Sequence, residues 1–326
     1  MKRGLFLLCL YLPFGAALAG DDLLKSLSRM QDALQNLNYY GTLVFMQGGD
    51  VQSMSLAHQA TEEGEIERIV NLNGYAREVI RNNDRVICYL PDSKSVTVST
   101  RRSGKGGWLS KLVANDFAAM QALYTFQMDG EDRVAGYLTQ RVLIQPNDAY
   151  RYGYRLWLDK DSGLLLKSDL LSESAEILEQ AMFAEISIVD EVPAAMLQAS
   201  TPSDDFVWYE ENSEIEEIPP EAQTWRVTEM PVGFKLVSQM RHLLPDSSQL
   251  AEHLLITDGL ASVSIYIEAL NGEPAPFNGP FERGAVNVYS TALDDHQIVV
   301  VGEVPAATVE MLAKSVRRQA PGAGND

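Results

Sequence analysis

Residues 133–188, RVAGYLTQRVLIQPNDAYRYGYRLWLDKDSGLLLKSDLLSESAEILEQAMFAEISI, alternate apolar and polar side chains in short runs. Tyr154, Leu156 and Leu158 stand in one phase against Arg155, Trp157 and Asp159, and a later run reads Met182, Ala184, Ile186 and Ile188. A period of two is that of strands with one buried face. Asn147-Asp148, Asp161-Ser162-Gly163 and Ser172-Glu173-Ser174 interrupt the runs with turn formers, so the stretch reads as an antiparallel meander. A sheet with one polar face must cover the other. The cover is either a helix of the same chain, giving an ordinary core, or a guest molecule, giving a carrier or a sensor.

Upstream, Leu23, Leu27, Met30, Leu34 and Leu37 recur at helical spacing behind Asp22, which predicts a helix over 22–37 with one apolar stripe. Short alternating runs follow at 39–46, 51–59, 66–72, 75–80, 85–90 and 96–99. Gly48-Gly49-Asp50, Glu63-Gly64, Asn73-Gly74, Asn82-Asn83-Asp84 and Pro91-Asp92 divide them, and Asn73-Gly74 is the strongest two-residue hairpin signal of the chain. Strands that follow one another without helical crossovers build an antiparallel sheet. A basic, glycine-rich interruption, 101–107, leads into helical spacing at Leu109, Leu112 and Val113 and at Phe117, Met120 and Leu123. Two or three short helices are few for so long a sheet, which leaves a filled core and a partly open cavity both standing.

Downstream, residues 168–225 hold neither Lys nor Arg, while Asp190, Glu191, Asp204, Asp205, Glu210, Glu211, Glu214, Glu216, Glu217 and Glu221 crowd the segment among Pro193, Pro202, Pro219 and Pro220. This composition predicts an extended linker, within which Phe206-Val207-Trp208-Tyr209 is expected to dock on a domain. Alternation resumes at 235–240, 252–256, 263–267, 285–293 and 297–301, and Pro305 opens a final helix with Val309, Leu312 and Val316 on one side. The chain therefore reads as α+β: a large curved antiparallel sheet with helices in its concavity, and a smaller C-terminal α+β domain.

The N-terminus, MKRGLFLLCLYLPFGAALAG, has two basic residues, an apolar run and Ala17-Leu18-Ala19, the pattern of an export leader cut after Ala19. Cutting there removes Lys2, Arg3 and Cys9, leaving 24 basic against 45 acidic residues and Cys88 as the single thiol. One thiol permits no internal disulfide, and the acidic surface repels nucleic-acid phosphates, so no nucleic-acid partner is expected. His58, His242, His253 and His296 lack zinc-ligand spacing, and the chain has no G-x-S-x-G elbow. Ser103-Gly104-Lys105-Gly106-Gly107 lacks the earlier glycine and the Lys-Ser/Thr pair of a phosphate loop. No catalytic constellation, metal site or cofactor is expected.

The order of features resembles the MucB/RseB family of periplasmic regulators. The resemblance is carried by RVA at 133–135, YRYGYRLWLD at 150–159, LLLKSDLL at 164–171, ILEQ at 177–180, W-x5-P-x-GF at 225–234, TDGL at 257–260 and VGEVP at 301–305. It implies a large domain similar to the LolA/LolB lipoprotein carriers, a half-barrel sheet, and a small domain that engages a membrane-spanning anti-sigma factor of RseA or MucA type. The implied function is to shield that factor from proteolysis and so hold the extracytoplasmic stress sigma factor inactive, until lipopolysaccharide or mislocalised lipoprotein is sensed. A periplasmic lipid or lipoprotein carrier is the alternative. A homodimer is a further expectation.

On this reading the leader is 1–19, the lipid-sensing domain 20–190, the acidic linker 191–221, the anti-sigma-binding domain 222–318 and a disordered tail 319–326. Tyr39, Phe45, Trp108, Phe117, Tyr154 and Trp157 are the candidate acyl-chain contacts, and Arg101, Arg102 and Lys105 the candidate phosphate contacts. Trp225, Pro231 and Phe234 are expected mainly to fold the small domain.

Overall fold

The computed structural model describes residues 16–83, 85–100, 112, 116–210, 216–243 and 249–319, with side chains from residue 22 onward. The expected leader falls largely on residues 1–15, outside the described residues; residues 16–19 form the first turn of helix α1 (Ala16–Asn36). Twelve strands form the first sheet: β1 (Asn38–Gln47), β2 (Asp50–Thr61), β3 (Gly64–Asn71), β4 (Glu78–Asn82), β5 (Arg85–Leu90), β6 (Ser95–Thr100), β7 (Tyr124–Val134), β8 (Tyr137–Pro146), β9 (Gly153–Asp159), β10 (Leu165–Leu171), β11 (Ile177–Val189) and β12 (Val207–Glu210). Their order is β12-β6-β5-β4-β3-β2-β1-β11-β10-β9-β8-β7, an open sheet, antiparallel except where β12 runs parallel to β6.

Two-residue turns set much of this register. Gly48-Gly49, with φ of 56° and 90°, closes β1 onto β2, and Ala135-Gly136, with φ of 47° and 87°, closes β7 onto β8. Both central residues left-handed is the geometry that matches strand twist. Asn73-Gly74 departs from the expectation of a tight hairpin, for residues 72–77 separate β3 from β4. The Asn73 side chain is used otherwise: its Oδ1 accepts the Ser53 N–H at 2.7 Å and its Nδ2 donates to Val51 O at 2.9 Å, pinning the loop to β2.

The alternation along β11 also differs from the pattern read in the sequence. Thr42 faces Glu185 while Leu43 faces Phe183, so Ala184 is an extra residue in the ladder, a bulge that exchanges the two faces. Ala181 and Phe183 are therefore buried on one side of it and Ile186 on the other, while Ala184 is exposed. Gly41 sits opposite the distortion, where a Cβ would lie 2.2 Å from Glu185 O.

The inward phase of the sheet is closed by α1. Leu23, Leu27, Met30, Ala33 and Leu34 pack on Tyr39, Leu43, Leu56, Val142, Ile144, Leu156, Leu158 and Phe183 in one core, with Leu112, Phe117 and Met120 beside them. Of the short helices read between 108 and 123, Leu112 is helical and Ala119–Ala122 is a 3-10 turn, while residues 108–111 and 113–115 lie outside the described residues.

A second sheet has the order β13 (Glu216–Glu217), β15 (Lys235–Leu243), β16 (Leu250–Thr257), β17 (Ser262–Ala269), β20 (His296–Gly302), β19 (Val286–Leu293), β18 (Gly279–Arg283). Helix α2 (Ala306–Ser315) buries Val309, Leu312 and Ala313 against it. The chain beyond α2 becomes β21 (Val316–Arg318), paired with β14 (Trp225–Val227), which holds Trp225 in that core. The smaller domain is thus strands plus one helix.

The segment between the sheets is strapped to the first one. Glu78 is buried, and its carboxylate accepts the Arg68 Nε–H at 2.6 Å, the Ser200 N–H at 2.9 Å and the Thr201 N–H at 2.8 Å. Burial alone would raise the Glu78 pKa, but the hydrogen bonds from Thr201, Ser200 and Arg68 outweigh it and hold the carboxyl below its ordinary 4.5. A depressed folded-state pKa stabilises the tie fully above the unfolded value, and the contribution is lost as pH falls through the folded value. Protection of the Ser200 and Thr201 amides, corrected for intrinsic exchange, should stay level down to about pH 4.5 and fall below it. Glu78→Gln should remove that step; an unchanged step in the variant would assign it to another group.

Candidate functional site: the junction between the two sheets

The loop 147–152 that joins β8 to β9 carries the centre of the junction. Arg151 is 1% exposed and its guanidinium is used on every side. Its Nη1 donates to Asp148 Oδ2 at 2.6 Å, its Nη2 donates to Val232 O at 2.7 Å, and its Nε lies 2.7 Å from Asp258 Oδ2. The aromatic rings of Tyr124 and Phe234 flank it, 5.5 and 4.9 Å from the guanidinium carbon. Asp258 opens the turn after β16, and its Oδ1 accepts the Leu260 and Ala261 N–H groups while Tyr124 Oη donates to its Oδ2 at 2.8 Å. Burial, and then the neighbouring Asp258 carboxylate, push the Tyr124 phenol well above the usual tyrosine range, so it stays a donor.

Further contacts extend this lock. Asn287 Nδ2 donates to Tyr152 Oη at 3.0 Å and Thr308 Oγ1 donates to Tyr150 O at 2.7 Å. Leu260 of the second domain lies inside the core of the first, and Ala285 packs with Tyr152 and Leu170. Gly233, at φ 87°, touches Leu123 so closely that a Cβ would lie 2.4 Å from its Cδ1. A buried ion pair that is hydrogen-bonded through Arg151 Nη1 and Nη2 and through both Asp258 oxygens holds one relative placement of the two sheets.

Beside the lock lies a cavity of about 40 Å³, lined by Phe45, Leu112, Tyr154, Ser168, Leu170, Glu179, Ala181 and Glu303. Seven of these belong to the first domain; Glu303, from the turn between β20 and α2, belongs to the second. The two domains therefore share one wall. The volume exceeds the roughly 10–15 Å³ that one water needs but is far below the roughly 300–1,000 Å³ of pockets that enclose drug-sized ligands.

Of the candidate acyl-chain contacts, Phe45 and Tyr154 line this cavity. Tyr39 lies deeper, stacked on His58 at 4.9 Å and edge-on to Phe183, and Phe117 meets Phe126 edge-on at 6.0 Å in the same core. Trp157 is in the opposite strand phase from Tyr154. Its Nε1 donates to Asp132 Oδ2 at 3.0 Å, and Lys167 Nζ sits 4.2 Å from the ring centroid, on the side away from the cavity. Trp108, Arg101, Arg102 and Lys105 lie outside the described residues. Arg151 and Asp258 were missed as site residues although both fall in motifs already singled out, 150–159 and 257–260. The available signal was an arginine embedded among Tyr150, Tyr152 and Tyr154, just ahead of an apolar strand.

The geometry defines a class: a two-domain sheet protein whose larger sheet is closed by a helix and whose smaller domain is clamped to it by a buried ion pair, the domains sharing a cavity wall. The chain belongs to the MucB/RseB family, matching the family's N-terminal domain over residues 22–201 and its C-terminal domain over residues 219–317. It is 28% identical over 305 residues to the sigma factor AlgU regulatory protein MucB of Pseudomonas aeruginosa, and 25% identical over 296 residues to the sigma-E factor regulatory protein RseB of Haemophilus influenzae, covering 90% of each chain in both cases. Among solved structures, the P. aeruginosa MucA/MucB complex superposes with a TM-score of 0.72 at 27% identity, over 92% of this chain and 99% of that one. A crystal structure of MucB gives a TM-score of 0.64 at 27% identity, over 94% of this chain and 99% of that one.

Proposed function

We propose that this chain is an exported, non-enzymatic regulator that binds the periplasmic part of a membrane-spanning anti-sigma factor and shields it from regulated proteolysis. The extracytoplasmic stress sigma factor stays inactive while the complex lasts. The observation that carries this reading is the likeness over both domains to MucB in its complex with MucA. The clamp at Arg151 supports it, because one fixed placement of two domains presents a composite surface to a polypeptide.

Release follows from the shared wall. An acyl chain from lipopolysaccharide or lipoprotein, seated against Phe45 and Tyr154, would need more room than the cavity offers, so Leu112 and the stripe of α1 would have to shift. Because Glu303 belongs to the same wall, the shift would reach the second domain. A coupling of about 1–3 kcal/mol between lipid and partner affinity is enough for release.

The test mixes the chain with the anti-sigma periplasmic polypeptide and its membrane-anchored protease. Cleavage should slow on adding the chain and recover on adding lipopolysaccharide fragments. Equal cleavage with and without the chain would overturn the shielding; slowed cleavage indifferent to lipid would remove the sensing alone.

A further inference from the structure

We propose that the outer edge of β12 is a docking strand for an extended, basic polypeptide segment, which on the reading above belongs to the anti-sigma partner. β12 is the terminal strand of the first sheet among the described residues. The Val207 N–H donates to Lys94 O at 2.9 Å, so Val207 and Tyr209 turn their main-chain groups toward β6. Successive residues of a strand point these groups to opposite sides, which leaves those of Trp208 and Glu210 facing outward.

Such an edge is a template for another strand unless lysine, proline or a bulge blunts it, and Phe206–Glu210 carries neither lysine nor proline. Its side chains are also exposed: Val207 by 55%, Trp208 by 49% and Tyr209 by 57%. Trp208 is held edge-on to Tyr89 with centroids 6.1 Å apart, so the strand is ordered before anything docks.

Charge selects the occupant. Asp204 and Asp205 precede the strand and Glu210 ends it, and Lys94 pairs with Asp205 at 2.5 Å. Two copies joined edge to edge would set these carboxylates against each other, which works against self-association here. A strand alternating apolar residues with Lys or Arg supplies the opposite sign; main-chain bonds then give affinity, and contacts with Trp208 and Tyr209 give register.

The experiment uses the full mature chain and the anti-sigma periplasmic polypeptide, with amide exchange and affinity as readouts. Trp208→Pro removes one outward N–H while sparing the bonds of Val207 and Tyr209 to β6. It should weaken binding about tenfold or more, whereas Trp208→Ala, which keeps the N–H, should weaken it less. In the unaltered complex the Trp208 and Glu210 amides should exchange more slowly. Equal affinity of Trp208→Pro, or no slowing at these amides, overturns the proposal and leaves the anti-sigma reading standing. If Trp208→Pro detaches β12, the exchange of the unaltered chain decides. If the unaltered chain does not bind the polypeptide, the anti-sigma reading fails, and a (Lys-Val)5 peptide judges the edge. Slowing by it and not by (Glu-Val)5 sustains the edge proposal, and no slowing overturns it.

Discussion

Arg151→Met should weaken the junction between the two domains by about 3–5 kcal/mol, the usual cost of stranding one member of a buried ion pair. Methionine fills much of the arginine's volume, so the loss isolates the guanidinium, which serves Asp148, Val232 O and Asp258 at once and lies against two aromatic rings. Arg151→Lys should not rescue it, because a point ammonium cannot span partners on three sides of a planar fork. Calorimetry should show the single main transition dividing into two, the second domain parting from the first before either unfolds. A double-mutant cycle with Asp258→Asn should return a coupling energy well above the roughly 0.5 kcal/mol expected of independent sites. A cycle that closes near zero would demote the pair to two unrelated buried groups.

Leu27→Ala should destabilise the larger domain by about 2–5 kcal/mol, since Leu27 is fully buried at the centre of the α1 stripe and the surrounding sheet can collapse only in part. A lower midpoint in denaturant unfolding of the whole chain measures it. The same variant probes the sensing proposal. Combined with Met30→Ala, it enlarges the apolar space under α1, and an apolar space of that kind admits apolar guests. A fluorescent fatty-acid probe should bind the double variant more tightly than the unaltered chain. No gain in binding, with the fold intact by circular dichroism, would mean that the space under α1 is not the route by which a guest enters.

The legible part of the fold is that set by neighbours in sequence. Arg85–Leu90 is a strand at the bounds its alternation predicts, the α1 stripe is buried at Leu23, Leu27, Met30 and Leu34, and Val286–Leu293 meets His296–Gly302 across Asp294-Asp295. Local signals failed where a distant group competed for the same residues. Asn73 binds β2 instead of making a tight turn, because Val51 and Ser53 offer it a donor and an acceptor. Residues 316–318 leave helical geometry because β14 offers a ladder. The candidate site was legible in part: Phe45 and Tyr154 meet at one cavity, whereas Trp157, already out of phase with Tyr154 in the sequence, faces Lys167 and Asp132.

Alternation, turn residues and the acidic, proline-marked segment were enough to determine an antiparallel sheet, a covering helix and a second, smaller α+β unit, since each follows from the period and the conformational limits of residues a few positions apart. The bulge at Ala184, the strap at Glu78, the parallel seating of β12 and the pairing of Arg151 with Asp258 were decided by the tertiary structure alone. Each joins groups far apart in the chain or adds a single residue to a ladder, and neither leaves a periodic trace: a buried charge finds its partner through space, after the two sheets have brought it there.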